Sequence, residues 1–303
     1  MNSKISVCVL AAGMGSRYGG LKQMEGFGPS GETIIDYSIY DAIKAGFDRI
    51  VFVIRPDMEE AFREIFLSKY EGKIDIDYCF QTVGMVPDWY QLDPERIKPW
   101  GTGHALLVSK EKMDTPFIVI NGDDFYGRES FEIAAKFLRE ECDEHTYAMP
   151  TYRLKNVLSE SGSVKRGVCT VKNGYLEEIE ETFDVKMDKD GIINGTTWDG
   201  KPMINMDKNT PISQNMFMCH DTATEKFEKR FEDFLRTNKD GLKGEFLLPI
   251  VFTDMIKNGE IKMRAIDTSA QWFGVTYKED APTVRAKLQE LVDQGVYPKK
   301  LEV

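Results

Sequence analysis

Apolar residues recur in two rhythms along the first half of the chain. Four short runs, ISVCVLAA (Ile5–Ala12), DRIVFVI, IDIDYCF and PFIVING, are nearly continuous in β-branched and other apolar residues and read as sheet-centre strands buried on both faces. Between them, TIIDYSIYDAIKAG, DMEEAFREIFLSKY, GTGHALLVSKEKM and RESFEIAAKFLREEC carry apolar residues at helical spacing, and the first ends on Gly46, a C-cap residue. Strand alternating with helix predicts an α/β fold with a mostly parallel sheet flanked by helices, whose ligands bind at the carboxyl ends of the strands.

Beyond about residue 150 the rhythm changes to a mixed α+β pattern. RGVCTV and YLEEIEET flank Asn173-Gly174, a two-residue hairpin turn. PISQNMFMC and IKMRAI read as further strands, and TATEKFEKRFEDFLRT, EFLLPIVFTDMIKNG and KEDAPTVRAKLQELVDQG as helices, the last starting near Pro282. No composition break separates the halves, so residues 1–303 are expected to form a single domain, 1–150 a nucleotide-type half and 151–303 a half that completes the site and adds C-terminal helices. Residues 82–99 form the main irregular segment, with three prolines, Trp89 and Tyr90 beside Trp100; it fits a lid or contact surface and equally a loop packed by its own aromatics.

Composition narrows the partners. A net charge of −11 argues against nucleic acid or an anionic membrane surface, so cations for an anionic ligand must be local. Five scattered cysteines without a C-x-x-C pair, and only three histidines, fit buried thiols in a reducing compartment rather than a zinc site or a disulfide frame. The apolar start is too short for a membrane span and lacks a cleavage pattern, and a cytoplasmic location is expected.

The chemistry concentrates after the first run, in LAAGMGSRYGGLKQ. A dinucleotide fingerprint would need glycine where Tyr18 stands, although Asp36 lies at a suggestive distance. A phosphate-binding G-x-x-x-x-G-K-[ST] loop nearly fits from Gly15 to Gly20, but Leu21 intervenes, Lys22 comes one residue late and Gln23 replaces the hydroxyl. The pattern L-A-A-G-x-G-x-R followed by lysine is instead similar to the signature loop of the sugar-phosphate nucleotidyltransferases, which the N-acetylglucosamine-1-phosphate uridylyltransferase and glucose-1-phosphate thymidylyltransferase catalytic domains represent. Here it comprises Leu10, Ala11, Ala12, Gly13, Gly15, Arg17 and Lys22, with Leu21 where proline is usual. Gln81 after the third strand, WGTGHAL from Trp100, and INGDD with Asp123 follow in the order of that family.

The resemblance implies a Rossmann-like sheet of the nucleotide-diphospho-sugar transferase type. It further implies that the loop holds a triphosphate, that Gln81, Gly101 and Thr102 contact base and ribose, and that Asp123 holds Mg²⁺. Taken alone, His104 reads as a helix-start histidine, and an aspartate after a strand is often a turn former. In the second half Gly167, Glu181 and Asn215 match a glycine, a glutamate and an asparagine that contact the sugar.

Two positions depart from the family. Thr182 replaces a lysine expected to neutralise the acceptor phosphate, leaving Lys165, Arg166, Lys186 and Lys201 as candidates. Gly274 in QWFGVT stands where the thymidylyltransferase branch has a second metal carboxylate, leaving one carboxylate with waters, or Asp124, Asp267 or another acid.

The implied reaction transfers a nucleoside monophosphate from a nucleoside triphosphate, UTP or dTTP favoured, to a sugar 1-phosphate, with Arg17, Lys22 and Asp123 neutralising charge. Two alternatives stand beside it. One is a cytidylyltransferase for a non-sugar phosphate such as phosphocholine, with Trp89, Tyr90 and Trp100 as a cation cage. The other is a nucleotide-sugar-binding protein without turnover.

Overall fold

The computed structural model describes residues 3–13, 25–159, 162–275 and 280–302. Arg17, Lys22 and Gly15 of the glycine-rich loop therefore lie outside the described residues.

The central strand is β1 (Ser6–Leu10), every residue of which is buried. It pairs in parallel with β2 (Arg49–Ile54) on one side and β4 (Phe117–Asn121) on the other, so that Leu10 is flanked by Val53 and Asn121. A strand hidden on both faces must be largely apolar, and these three are, with only Ser6, Arg49 and Asn121 as polar positions at their ends. The IDIDYCF run, β3 (Asp75–Phe80), pairs only with β2 and is half-buried, so it lies at the sheet edge and not at its centre. Its alternate aspartates are tolerated there because an edge strand keeps solvent within reach.

Twelve strands among the described residues share one sheet, ordered β10-β9-β8-β7-β11-β6-β12-β4-β1-β2-β3, with β13 paired beside β6 and β8. β12 (Phe217–Cys219) enters antiparallel between β4 and β6 (Thr146–Arg153), so β6 again points with β4, and β13 (Lys262–Asp267) is parallel to β6. The central sheet is thus mostly parallel. Its far side is antiparallel: β7 (Val164–Lys172), β8 (Tyr175–Met187), β9 (Ile193–Thr197), β10 (Pro202–Met206) and β11 (Pro211–Ser213). Asn173 and Gly174 close the β7–β8 hairpin with φ of 53° and 79°, the left-handed pair that a type I′ turn requires. PISQNMFMC is two strands, not one, because Asn215 breaks it with φ 58°. The hairpin β9–β10 was not anticipated by the sequence pattern.

Helices cover both faces. α1 (Ile34–Ala45) opens with a capping box in which Thr33 and Asp36 exchange hydrogen bonds, and closes on Gly46 at φ 84°. Asp36 also accepts from Tyr70 Oη at 2.6 Å and meets Lys69 at 2.9 Å, so the aspartate that suggested a ribose contact is structural. The DMEEAFREIFLSKY segment is broken into α2 (Glu59–Phe62), a π-helical turn at Arg63–Leu67 and α3 (Ser68–Tyr70). The remaining helices are α4 (Thr102–Val108), α5 (Arg128–Glu140), α6 (Ala223–Thr237), α7 (Leu248–Lys257) and α8 (Ala281–Asp293), the last with Pro282 in its first turn. A second, two-stranded sheet pairs β5 (Asp124–Phe125) with β14 (Phe273–Gly274). All five cysteines are free thiols, and burial pushes Cys8, Cys79, Cys142 and Cys169 up to about 12. Among the described residues no helix is long and apolar enough to cross a membrane.

Candidate active site

The carboxyl ends of β1 and β4 lie side by side, and the polypeptide leaves both without a gap. Ala11 N donates to Val53 O and Gly122 N to Leu10 O, each at 2.9 Å. A Cβ on Gly122 would stand 3.2 Å from that of Ala11, so glycine there lets the turn bearing Asp123 and Asp124 lie against the exit of β1. Gly13 O accepts from Arg55 Nη1 at 2.9 Å, and Arg55 is itself held by Asp57. Leu10, Ala11 and Ala12 are buried, while Gly13 is exposed, with no neighbour among the described residues near its missing side chain.

Gln81 ends β3 and its orientation is determined by its neighbours. Its Nε2 donates to Gly101 O and to His104 Nδ1, each at 3.1 Å. A flipped amide would bring two oxygens together at Gly101, so the side-chain oxygen is the end left over. His104 Nε2 donates to Met85 O at 2.8 Å, which leaves Nδ1 as the acceptor for Gln81. His104 is wholly buried, and burial lowers its pKa to about 4, so the ring stays neutral. It is a positioning residue for Gln81 as well as the helix-start histidine its place in the chain suggested.

The GTG stretch is clamped by the C-terminal half. A Cβ on Gly101 (φ 100°) would meet Phe246 O at 2.7 Å, and one on Gly103 would meet the Phe246 ring at 2.7 Å. Gly103 N donates to Phe246 O, and Leu248 N to Thr102 Oγ1. The 82–99 segment braces this clamp: Arg96, buried, donates to Gly241 O, Gly244 O and Pro99 O, and its guanidinium lies 3.3 Å from the Trp100 ring centre. Trp100 is fully buried and Trp89 lies under Arg236. Of the three aromatics considered for a quaternary-ammonium cage, Trp100 therefore offers no open face, while Trp89 stays 48% exposed beside Arg236.

Thr102, Gly167, Glu181 and Asn215, drawn from four distant segments, line one cavity of about 170 Å³. Two of the four candidate cations, Lys165 and Arg166, line it too. Lys201 instead pairs with Asp199 on the surface, and Lys186 is exposed elsewhere on β8. Gly167 stands opposite Glu181, and a side chain on it would press Ile179 at 2.8 Å and Ser213 at 3.3 Å. Lys165 Nζ lies 3.0 Å from Glu181 Oε2. Arg166 is the cross-strand partner of Thr182, the position that lacks the expected lysine. Its guanidinium spends three of its donors on Val157 O and Lys165 O, lies 4.6 Å from the Trp272 ring centre, and is lowered by burial to about 10 while the charge of Asp124 works the other way. It remains a cation at neutral pH.

Asn121, Ser213 and Gln214, to which the motifs assign no role, also line the cavity, together with Leu247 and Pro249. Buried Gln214 Nε2 has no hydrogen-bond partner among the described residues, which in a cavity wall asks for a polar ligand. Asn121 Nδ2 donates to Asp124 Oδ2 at 2.9 Å, joining the cavity to the acidic turn. Gly274 pairs with Asp124 in the β14–β5 register, and a Cβ on it would come 2.4 Å from Asp124 Oδ1. Asp267, the other acid proposed from sequence, is engaged by Arg153 at 2.8 Å. Among the described residues no group of three His, Cys, Asp or Glu is poised for a metal. Adjacent hard carboxylates nonetheless suit Mg²⁺, which typically takes one or two from the protein and the rest of its shell from water and phosphate.

The family model for nucleotidyl transferases matches residues 7–181, more than half of the chain and the span from β1 to Glu181. No curated protein matches the sequence. Among solved structures, an inositol-1-phosphate CTP transferase from T. maritima has a TM-score of 0.63 at 14% identity, covering 96% of this chain and 98% of its own. A putative glucose-1-phosphate thymidylyltransferase from Bacillus anthracis, solved with sucrose, has a TM-score of 0.62 at 15% identity over 94% and 96%. With the family model covering more than half of the chain and the fold shared with both solved structures, this chain belongs to the nucleotidyl transferase family.

Proposed function

We propose that the whole chain works as one nucleotidyltransferase unit, moving a nucleoside monophosphate from UTP or dTTP to a sugar 1-phosphate and releasing pyrophosphate. The observation that carries this reading is the shared cavity: Gly167, Glu181 and Asn215 converge with two cations beside the Asp123–Asp124 turn. Paired donors and acceptors with a local positive charge suit a phosphorylated polyol.

An oxygen of the acceptor phosphate attacks the α-phosphorus, and the bond to the bridging oxygen of pyrophosphate breaks. An ionised phosphate is already a nucleophile, so neutral His104 is not required as a base. The demand is electrostatic, because two like charges at roughly 4 Å repel by about 4 kcal/mol at an effective dielectric near 20. Arg166 and Lys165 offset this on the acceptor side, and Arg17 and Lys22 on the triphosphate side. Asp123, with Asp124 where Gly274 leaves room, would hold Mg²⁺, which supplies further neutralisation of the phosphate oxygens. Leu10, Ala11, Ala12, Gly13 and Gly15 admit the phosphate tail, while Gly101 and Thr102 bound the nucleoside. Gln81 offers the base an acceptor, matching the N3–H of uracil or thymine.

A second reading is cytidyl transfer to a non-sugar phosphate. The likeness to the inositol-1-phosphate CTP transferase favours it, and the side-chain oxygen of Gln81 would also accept from a cytosine amino group. Pyrophosphate release across a panel of UTP, dTTP and CTP with glucose 1-phosphate and inositol 1-phosphate separates the two. The phosphate roles predict that Lys22→Ala or Asp123→Asn lowers turnover by roughly a hundredfold or more with folding intact. Near-normal turnover of either refutes its role, and binding without turnover of any pair favours a nucleotide-sugar-binding protein.

A further inference from the structure

We propose that Trp198, at the tip of the β9–β10 hairpin, is the platform on which the ring of the acceptor rests, so that cyclic polyol phosphates are selected over acyclic ones. The proposal deepens the functional reading above and rests on its assignment of the cavity to a phosphorylated acceptor.

Trp198 exposes 72% of its surface, which a large aromatic side chain rarely does without a partner. It does not sit on a floppy tip. Thr197 N donates to Lys201 O at 2.9 Å, Gly200 N to Thr197 O at 3.0 Å and Lys201 N to Thr197 Oγ1 at 3.0 Å, with Gly200 in the left-handed region at φ 82°. The turn is thus closed around the indole and presents it in a defined place.

That place adjoins the cavity. The Trp198 ring centre is 5.5 Å from that of Phe183, and the Lys165 ammonium lies 5.9 Å from the first and 5.0 Å from the second. The same ammonium is 3.0 Å from Glu181, and both Lys165 and Glu181 line the cavity. The aromatic pair therefore extends the cavity wall at its Lys165 rim.

The chemistry of the rim selects the occupant. A second cation would be repelled by Lys165, and a wholly apolar group would cover the Lys165–Glu181 pair and Asn215 without offering them a hydrogen bond. A cyclic polyol satisfies both sides. Its C–H face, slightly positive, meets the negative face of the indole, while its hydroxyls reach the carboxylate and the amide. An acyclic phosphate fills the charged end of the cavity but offers no flat face to the hairpin.

The test uses the full chain with Trp198→Ala and Trp198→Phe, checking that circular dichroism is unaltered by these exposed changes. Binding of glucose 1-phosphate, inositol 1-phosphate and glycerol 3-phosphate is measured by calorimetry, and KM and kcat by pyrophosphate release. We expect Trp198→Ala to weaken both cyclic ligands by about fivefold to tenfold, the scale of one aromatic contact. The effect should fall on KM rather than kcat, spare glycerol 3-phosphate, and be largely rescued by phenylalanine. Equal affinity of wild type and Trp198→Ala for the cyclic ligands, or equal losses for cyclic and acyclic ones, overturns the proposal while leaving the transferase reading intact. Selective loss of cyclic binding in a protein that turns over no pair supports the platform and removes the transferase reading. Failure of the wild type to bind any cyclic phosphate overturns the proposal.

Discussion

Replacing His104 by glutamine removes a titrating group from the point where Gln81 is oriented, and the cost of that group can be worked from its surroundings. The ring is wholly buried, donates to Met85 O and accepts from Gln81. Burial lowers its pKa from 6.5 to about 4, with Arg96 adding in the same direction and the Met85 hydrogen bond opposing. Between those two values the unfolded chain takes up a proton that the folded chain refuses. The stability present above pH 6.5 is therefore lost as pH falls toward 4. At about 1.4 kcal/mol per unit, the wild type loses about 2 kcal/mol by pH 5 from this residue alone. Asp41, raised to about 7 by burial, acts with the opposite sign: its contribution grows as pH falls through 7. It is common to both proteins and cancels in their difference. Urea unfolding at pH 7.5 and pH 5 measures that difference. His104→Gln starts about 1–2 kcal/mol less stable for its lost packing and hydrogen bonds, and the gap closes by about 2 kcal/mol at pH 5. Parallel curves for the two proteins across this range would show that the folded ring takes up its proton as readily as the unfolded one, and would refute the lowering by burial.

Two further outcomes follow from the positions that depart from the family. Arg166→Met keeps the stem on Trp272 but removes the charge, and is expected to lower kcat/KM for the acceptor by about a hundredfold, with Arg166→Lys recovering part of it; an unchanged value would return the role to Lys165. Gly274→Ala brings a methyl within 2.4 Å of Asp124 Oδ1, so the carboxylate must turn, and the Mg²⁺ concentration for half-maximal turnover is expected to rise about tenfold; no rise would place Asp124 outside the metal site.

Much of the parallel half was legible because burial on both faces leaves no choice of residue type. β1, β2 and β4 are dense apolar runs, and the glycine of Gly46 and the Asn173-Gly174 pair announced their left-handed backbone. The edge position of β3 was not legible, since its apolar residues read the same whether one neighbour or two pair with it. The β9–β10 hairpin escaped for a related reason: IINGTTWDGKPMINM has little alternation, and pairing with β8 rather than local propensity makes it extended. Gln81, GTGHA and GDD were legible through their order along the chain. Asn121, Ser213 and Gln214 stood out only once the fold turned them toward one cavity.

The sequence by itself determined the kind of layers this chain forms and the places where its backbone must pass close to another group, because apolar periodicity and glycine leave their marks residue by residue. Only the tertiary structure decided which two of the four candidate cations line the cavity, which acid stands against Gly274, and that an arginine already fills the face of Trp100. Those outcomes depend on strand register and on contacts between segments more than a hundred residues apart, as in Arg166 opposite Thr182 across a hairpin and Gly103 beneath Phe246. A local pattern cannot encode such distances; a folded sheet sets them to within an ångström.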